Sequence, residues 1–113
     1  MPRDYKLYLE DIIESIEKIQ EYIAAMRFDQ FSADRKTQDA VVRNLEVIGE
    51  AARNLPDEIK NNIADIEWKK ITSLRNLLAH EYFGINQKII WDIVQNKTQK
   101  LYQGCKNQID ENK

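Results

Sequence analysis

Residues 4–26 read DYKLYLEDIIESIEKIQEYIAAM. Tyr5, Leu9, Ile12, Ile16, Ile19 and Ile23 recur at spacings of three and four, while Glu10, Glu14, Glu17 and Lys18 fill the other positions. That period places the apolar side chains along one face of a helix, which needs a second helical or sheet surface to cover it. The same pattern returns three times. Val41, Leu45, Ile48, Ala52 and Leu55 carry it in a second helix, expected from Ala33 to Asn54. Ile71, Leu74, Leu77 and Leu78 carry it in a third, expected from Glu67 to Phe83 with Gly84 just past its end. Ile90, Trp91, Val94, Leu101 and Cys105 carry it in a fourth, expected from an Asn86 cap to Gln108.

The intervening segments read as connections. In RFDQFSADRK (27–36), Ser32 is the expected N-cap of the second helix, with Asp34 in its first turn. PDEIKNN (56–62) suits a short helical turn opened by Pro56. Gly104 and the polar tail NQIDENK point to fraying at the end. Gly49, in the IGEAA stretch of the second helix, costs about 1 kcal/mol relative to Ala in a helix interior and implies a close helix crossing there. These elements predict an all-α protein: one domain over residues 1–113, folded as an antiparallel four- to five-helix bundle.

Composition narrows the function. A formal net charge of −2, with both signs mixed along the chain, argues against a general nucleic-acid coating protein. Cys105 is the single cysteine and His80 the single histidine, so one chain makes neither a disulfide nor a Cys/His zinc site. No cofactor or metal site is expected. No apolar run approaches a membrane span or a signal peptide, and the expected location is cytoplasmic.

His80 belongs to RNLLAHEYFG (75–84). On a helical wheel Leu74, Leu78 and Ile71 occupy the core side. Arg75 and Tyr82 share one line to within about 20°, and Asn76 and His80 share a neighbouring line. A polar arc of Arg, Asn, His and Tyr therefore surrounds the small Ala79. Phosphodiester transfer on RNA uses such groups. A histidine takes the proton of a 2′-hydroxyl or gives one to the leaving oxygen. A guanidinium stabilises charge on the non-bridging oxygens. Asn76, one turn before His80, can orient the imidazole. One histidine serves less well as both acid and base, so a two-fold dimer that pools two Arg75–His80 sets is the natural completion. A solvated helix end with a capping histidine explains the same residues without chemistry. Glu46 and Glu50 on the second helix either hold Arg75 or His80 in place or form a solvated face; both readings stay open.

RNLLAHEY resembles the signature of HEPN-domain ribonucleases, an Arg and a polar residue followed by His. In its Tyr two positions after the His it resembles the HepT toxins of HepT/MNT toxin–antitoxin systems. NLEVIGEAARNLP (44–56) is similar to the second-helix signature of that family, and the apolar first helix and the placements of Trp68 and Trp91 agree with it. The resemblance implies a HEPN-like homodimer, with catalytic Arg75 and His80 of both protomers in an interface cleft and Asn76 in support. It implies metal-independent endoribonuclease activity on an RNA substrate. It also implies an MNT-type nucleotidyltransferase antitoxin, which forms hetero-oligomers with the toxin and transfers AMP to Tyr82. The competing reading is a non-catalytic dimeric interaction module that binds a nucleotide or the nucleotidyltransferase partner.

Overall fold

The computed structural model describes residues 4–80 and 86–111, with Arg75, Leu77, Ala79 and His80 described by their backbone only. Helix α1 spans Tyr5–Ile23. Its N-terminus is capped by Asp4, whose carboxylate accepts from the Lys6 amide at 3.0 Å. Leu9, Ile12, Ile16, Ile19 and Ile23 are buried, as the period demands. The helix stops short of Met26 because Ala25 takes a left-handed backbone, φ 64°, which turns the chain.

The stretch expected to be a connection contains a helix of its own. Helix α2 spans Phe28–Ala33 and buries Phe31 completely. Phe31 stacks at a tilt against Trp91, ring centres 5.1 Å apart, and Phe28 meets the same indole edge-on at 6.2 Å. Ser32 therefore lies inside α2 and does not cap the next helix. That role falls to Asp34, which accepts from the Thr37 amide at 3.0 Å and the Thr37 hydroxyl at 2.8 Å. These bonds to its charged form hold the Asp34 carboxyl below its usual pKa. The Gln38 amide nitrogen donates back to the Phe31 and Ser32 carbonyls, satisfying the end of α2.

Helix α3, Arg35–Asn54, packs against α1 on one side and α5 on the other. Gly49 is among its buried residues. Helix α4 is the short turn Asp57–Asn61, and the Pro56 carbonyl accepts from Ile59 and Lys60. Helix α5, Trp68–His80, is tied to α4 by the Trp68 indole N–H, which donates to the Lys60 carbonyl at 3.2 Å. The Glu67 carbonyl opens α5 by accepting from Lys70 and Ile71.

The fourth long helix begins where expected. Asn86 caps α6 (Gln87–Asp92) through a 2.9 Å bond from the Lys88 amide to its side-chain oxygen. It then widens into a π turn over Ile93–Lys97 and continues as α7, Thr98–Glu111. A π turn shifts the hydrogen-bond ladder by one residue and opens its carbonyls to other donors. The Val94 carbonyl accepts from Gln20 of α1 at 3.1 Å and from the Thr98 hydroxyl at 3.0 Å. Helix α1 packs along α7, so α7, α1, α3 and α5 follow one another around the all-α bundle.

Gly104 does not mark a frayed end. Helix α7 runs through it to Glu111. A Cβ at this position would stand 2.5 Å from Ile63 Cγ2, so the glycine is where α7 meets the chain between α4 and α5. In an open helix Gly→Ala gains about 1 kcal/mol. Here overpacking, about 1–3 kcal/mol, opposes that gain. Gly104→Ala is expected to lower stability by about 1 kcal/mol net, read as a lower urea midpoint at unchanged slope. A gain would mean that Ile63 moves aside freely.

Candidate active site

Helix α5 brings the linear motif into order. Leu74 and Leu78 are buried and Ile71 is half-buried, so the side of the helix read as apolar does face the core. Asn76 is exposed, which places the polar side outward at that position. Arg75 and His80 stand five residues apart on the same helical backbone. Tyr82 and Gly84 lie outside the described residues.

Glu46 and Glu50 are on α3, the helix that packs against α5. Glu46 is half-buried and Glu50 exposed. Together with Arg43 and Val47 they line a shallow depression of 220 Å³. Glu50 is engaged by the Asn54 amide nitrogen, at 2.9 Å to its carbonyl and 3.4 Å to its carboxylate. Both readings of the glutamates, positioning groups or solvated face, fit this arrangement.

Cys105 is the remaining reactive side chain. It is fully buried, and desolvation of the thiolate pushes its pKa up to about 12. A thiol in that environment is a packing residue, not a nucleophile at neutral pH. Among the described residues no helix is long and apolar enough to cross a membrane.

The family model described as "Ribonuclease HepT-like" matches residues 12–107, a span that includes all of α3 and α5 and the whole RNLLAHEY motif. The chain belongs to the HepT-like ribonucleases. HepT-like relatives agree over nearly the full length. A Methanocaldococcus jannaschii protein named as a candidate RNase is 50% identical over 98 residues, 86% of this chain and 81% of that one. The "probable ribonuclease HepT" of Thermococcus cleftensis is 42% identical over 101 residues, covering 89% of this chain and 92% of the relative. A protein of Caldanaerobacter subterraneus, again named as a candidate RNase, is 37% identical over 106 residues, 94% of this chain and 95% of the relative. No solved structure matches this HepT-like chain.

Proposed function

We propose that the protein is a metal-independent endoribonuclease toxin, the catalytic half of a toxin–antitoxin pair. The observation that carries this reading is the motif on α5 in a chain of the HepT-like ribonuclease family. Arg75, Asn76 and His80 share one helix, whose other side is pinned in the core by Leu74 and Leu78.

His80 acts at the proton. It removes the hydrogen of a ribose 2′-hydroxyl, or in its charged form delivers one to the departing 5′-oxygen. Arg75 binds the non-bridging oxygens and offsets the negative charge that builds on them. The 2′-oxygen forms a bond to phosphorus as the bond to the 5′-oxygen breaks, leaving a 2′,3′-cyclic phosphate and a free 5′-hydroxyl. Asn76, one turn before His80, is a positioning residue. A homodimer supplies the second Arg75–His80 pair, so that acid and base come from different protomers.

Control falls to Tyr82. A nucleotidyltransferase antitoxin that transfers AMP to its hydroxyl would add negative charge and bulk near Arg75, with which Tyr82 shares a helical line in the sequence. The arginine would be neutralised and the cleft closed to RNA.

Purified, unmodified protein incubated with cellular RNA in EDTA is expected to produce fragments ending in 2′,3′-cyclic phosphate. Ends bearing 3′-hydroxyl and 5′-phosphate groups, or cleavage only on addition of a divalent cation, would overturn the mechanism.

A further inference from the structure

Helix α5 and the π turn of the fourth helix do not close on each other. Between them lies a cleft of about 330 Å³. Its apolar wall comes from Ile66, Ile71 and Leu74 on one side and Ile93 and Leu101 on the other. Leu74 and Leu101 are buried, and the three isoleucines are half-buried. The mouth is polar, with Lys70, Lys97 and Lys100 around it, together with Asn96.

The charges there are unequally engaged. Lys70 bonds Glu67 at 2.8 Å on the surface. Lys97 and Lys100 have no ion pair among the described residues, although both lie near enough to Glu67 to help hold its pKa down, after the larger effect of Lys70. Three ammonium groups thus stand against two carboxylates, Asp65 and Glu67, and Glu67 is already committed to Lys70. The loop edge is formed by Asp65 with φ 65°, a left-handed backbone that a non-glycine residue adopts at some cost.

An apolar floor beneath Lys97 and Lys100, which have no ion pair among the described residues, suits a ligand with a flat, weakly polar body and an anionic group beside it. A simple anion would gain nothing from the aliphatic wall, and a purely apolar ligand nothing from the lysines. The volume fits one such unit, at the lower end of the range for small-molecule sites. The cleft also lies on the helix that carries the motif. From Lys70 to His80 the rise along α5 is about 15 Å, a length that a few nucleotides span. Ser73 on the cleft wall and Asn76 beyond it are both exposed, and helical register puts them on one line toward His80.

The geometry points to this cleft as a subsite for one nucleotide of the RNA strand, its phosphate held by Lys97 and Lys100 and its base laid on the Ile71–Ile93 wall. The inference rests on the ribonuclease reading and names where the substrate is gripped away from the scissile bond. The lysines touch no reacting atom in it, so they contribute binding that is equal in ground and transition states.

The test is steady-state cleavage of a single-stranded RNA 20-mer by wild-type protein and by Lys97→Ala/Lys100→Ala. Lys36→Ala/Lys88→Ala, which removes the same charge from two exposed lysines elsewhere, is the control. The cleft variant is expected to raise KM about tenfold with kcat unchanged. The slope of log KM against log salt should flatten by about 0.7, the value for one lost phosphate contact on a single strand. A KM equal to that of the control variant, or a loss confined to kcat, would overturn the subsite. Should wild-type protein cleave nothing, the ribonuclease reading fails by itself. Fluorescence anisotropy of the same 20-mer then decides the cleft: a tenfold weaker complex for the cleft variant supports it, and equal affinities overturn it. Uridine 5′-monophosphate binding as tightly as the 20-mer would assign the cleft to a free nucleotide and overturn the strand.

Discussion

His80→Ala is expected to slow RNA cleavage by about 10²–10⁴-fold, the usual contribution of a positioned acid or base, with the unfolding midpoint nearly unchanged. The chain has no second histidine to substitute. Arg75→Ala should cost a similar factor, about 10²–10³, because charge on the phosphate oxygens is left uncompensated. Arg75→Lys should recover only part of it, since an ammonium cannot reproduce the two parallel bonds of a guanidinium. Both losses should appear in kcat, and circular dichroism should report an intact helical fold. The core side of α5 is held by Leu74 and Leu78 and by the Trp68 bond to Lys60, none of which these variants touch.

A third variant, His80→Gln, separates catalysis from mere binding. A module that only holds a nucleotide or a protein depends on the charge of Arg75 and tolerates His80→Gln, which keeps size and hydrogen bonding. An enzyme that moves a proton through His80 does not tolerate it, because a carboxamide has no titration near neutral pH. His80→Gln is thus expected to be as inactive as His80→Ala. Retained cleavage by His80→Gln would shift the proton chemistry to another group and leave the histidine a positioning residue.

The motif was legible because it is linear. Arg75, Asn76 and His80 are close in sequence and lie on one helix, so spacing alone brings them together. The long helices were legible because each carries an apolar period, over about four turns in α1 from Leu9 to Ile23 and over about two in α5 from Ile71 to Leu78. What escaped depends on tertiary partners. Helix α2 has six residues, too few for a period to show, and its one clear signal is the three-residue spacing of Phe28 and Phe31. The π turn needs Gln20, 74 positions away from Val94, to receive the opened carbonyl. Gly104 looks like a breaker until Ile63 is set beside it. Lys97 and Lys100, in QNKTQK, carry no motif in the sequence, and only the gap between α5 and the π turn gives them a shared cleft.

Phe31→Ala is expected to be the most damaging single change to stability, about 3–5 kcal/mol. The side chain is 0% exposed, and its ring is the larger part of the contact that joins α2 to Trp91. Truncation leaves a cavity bounded by α2, α3 and α6, and α6 comes from a distant part of the chain, so the three cannot readily collapse onto it together. Domains of this size hold about 5–15 kcal/mol in all, so the variant should lie near the edge of folding. Were α2 only a solvated link, the same change would cost under about 0.5 kcal/mol. Urea unfolding followed by circular dichroism distinguishes the two, with Phe31→Leu expected to keep more than half of the lost stability because it refills most of the volume. The loss should not reach the chemistry. At temperatures where Phe31→Ala remains folded, its kcat on RNA should match the wild type, since among the described residues α2 packs chiefly on α3 and α6. A variant that is stable yet inactive would instead place α2 beside the substrate.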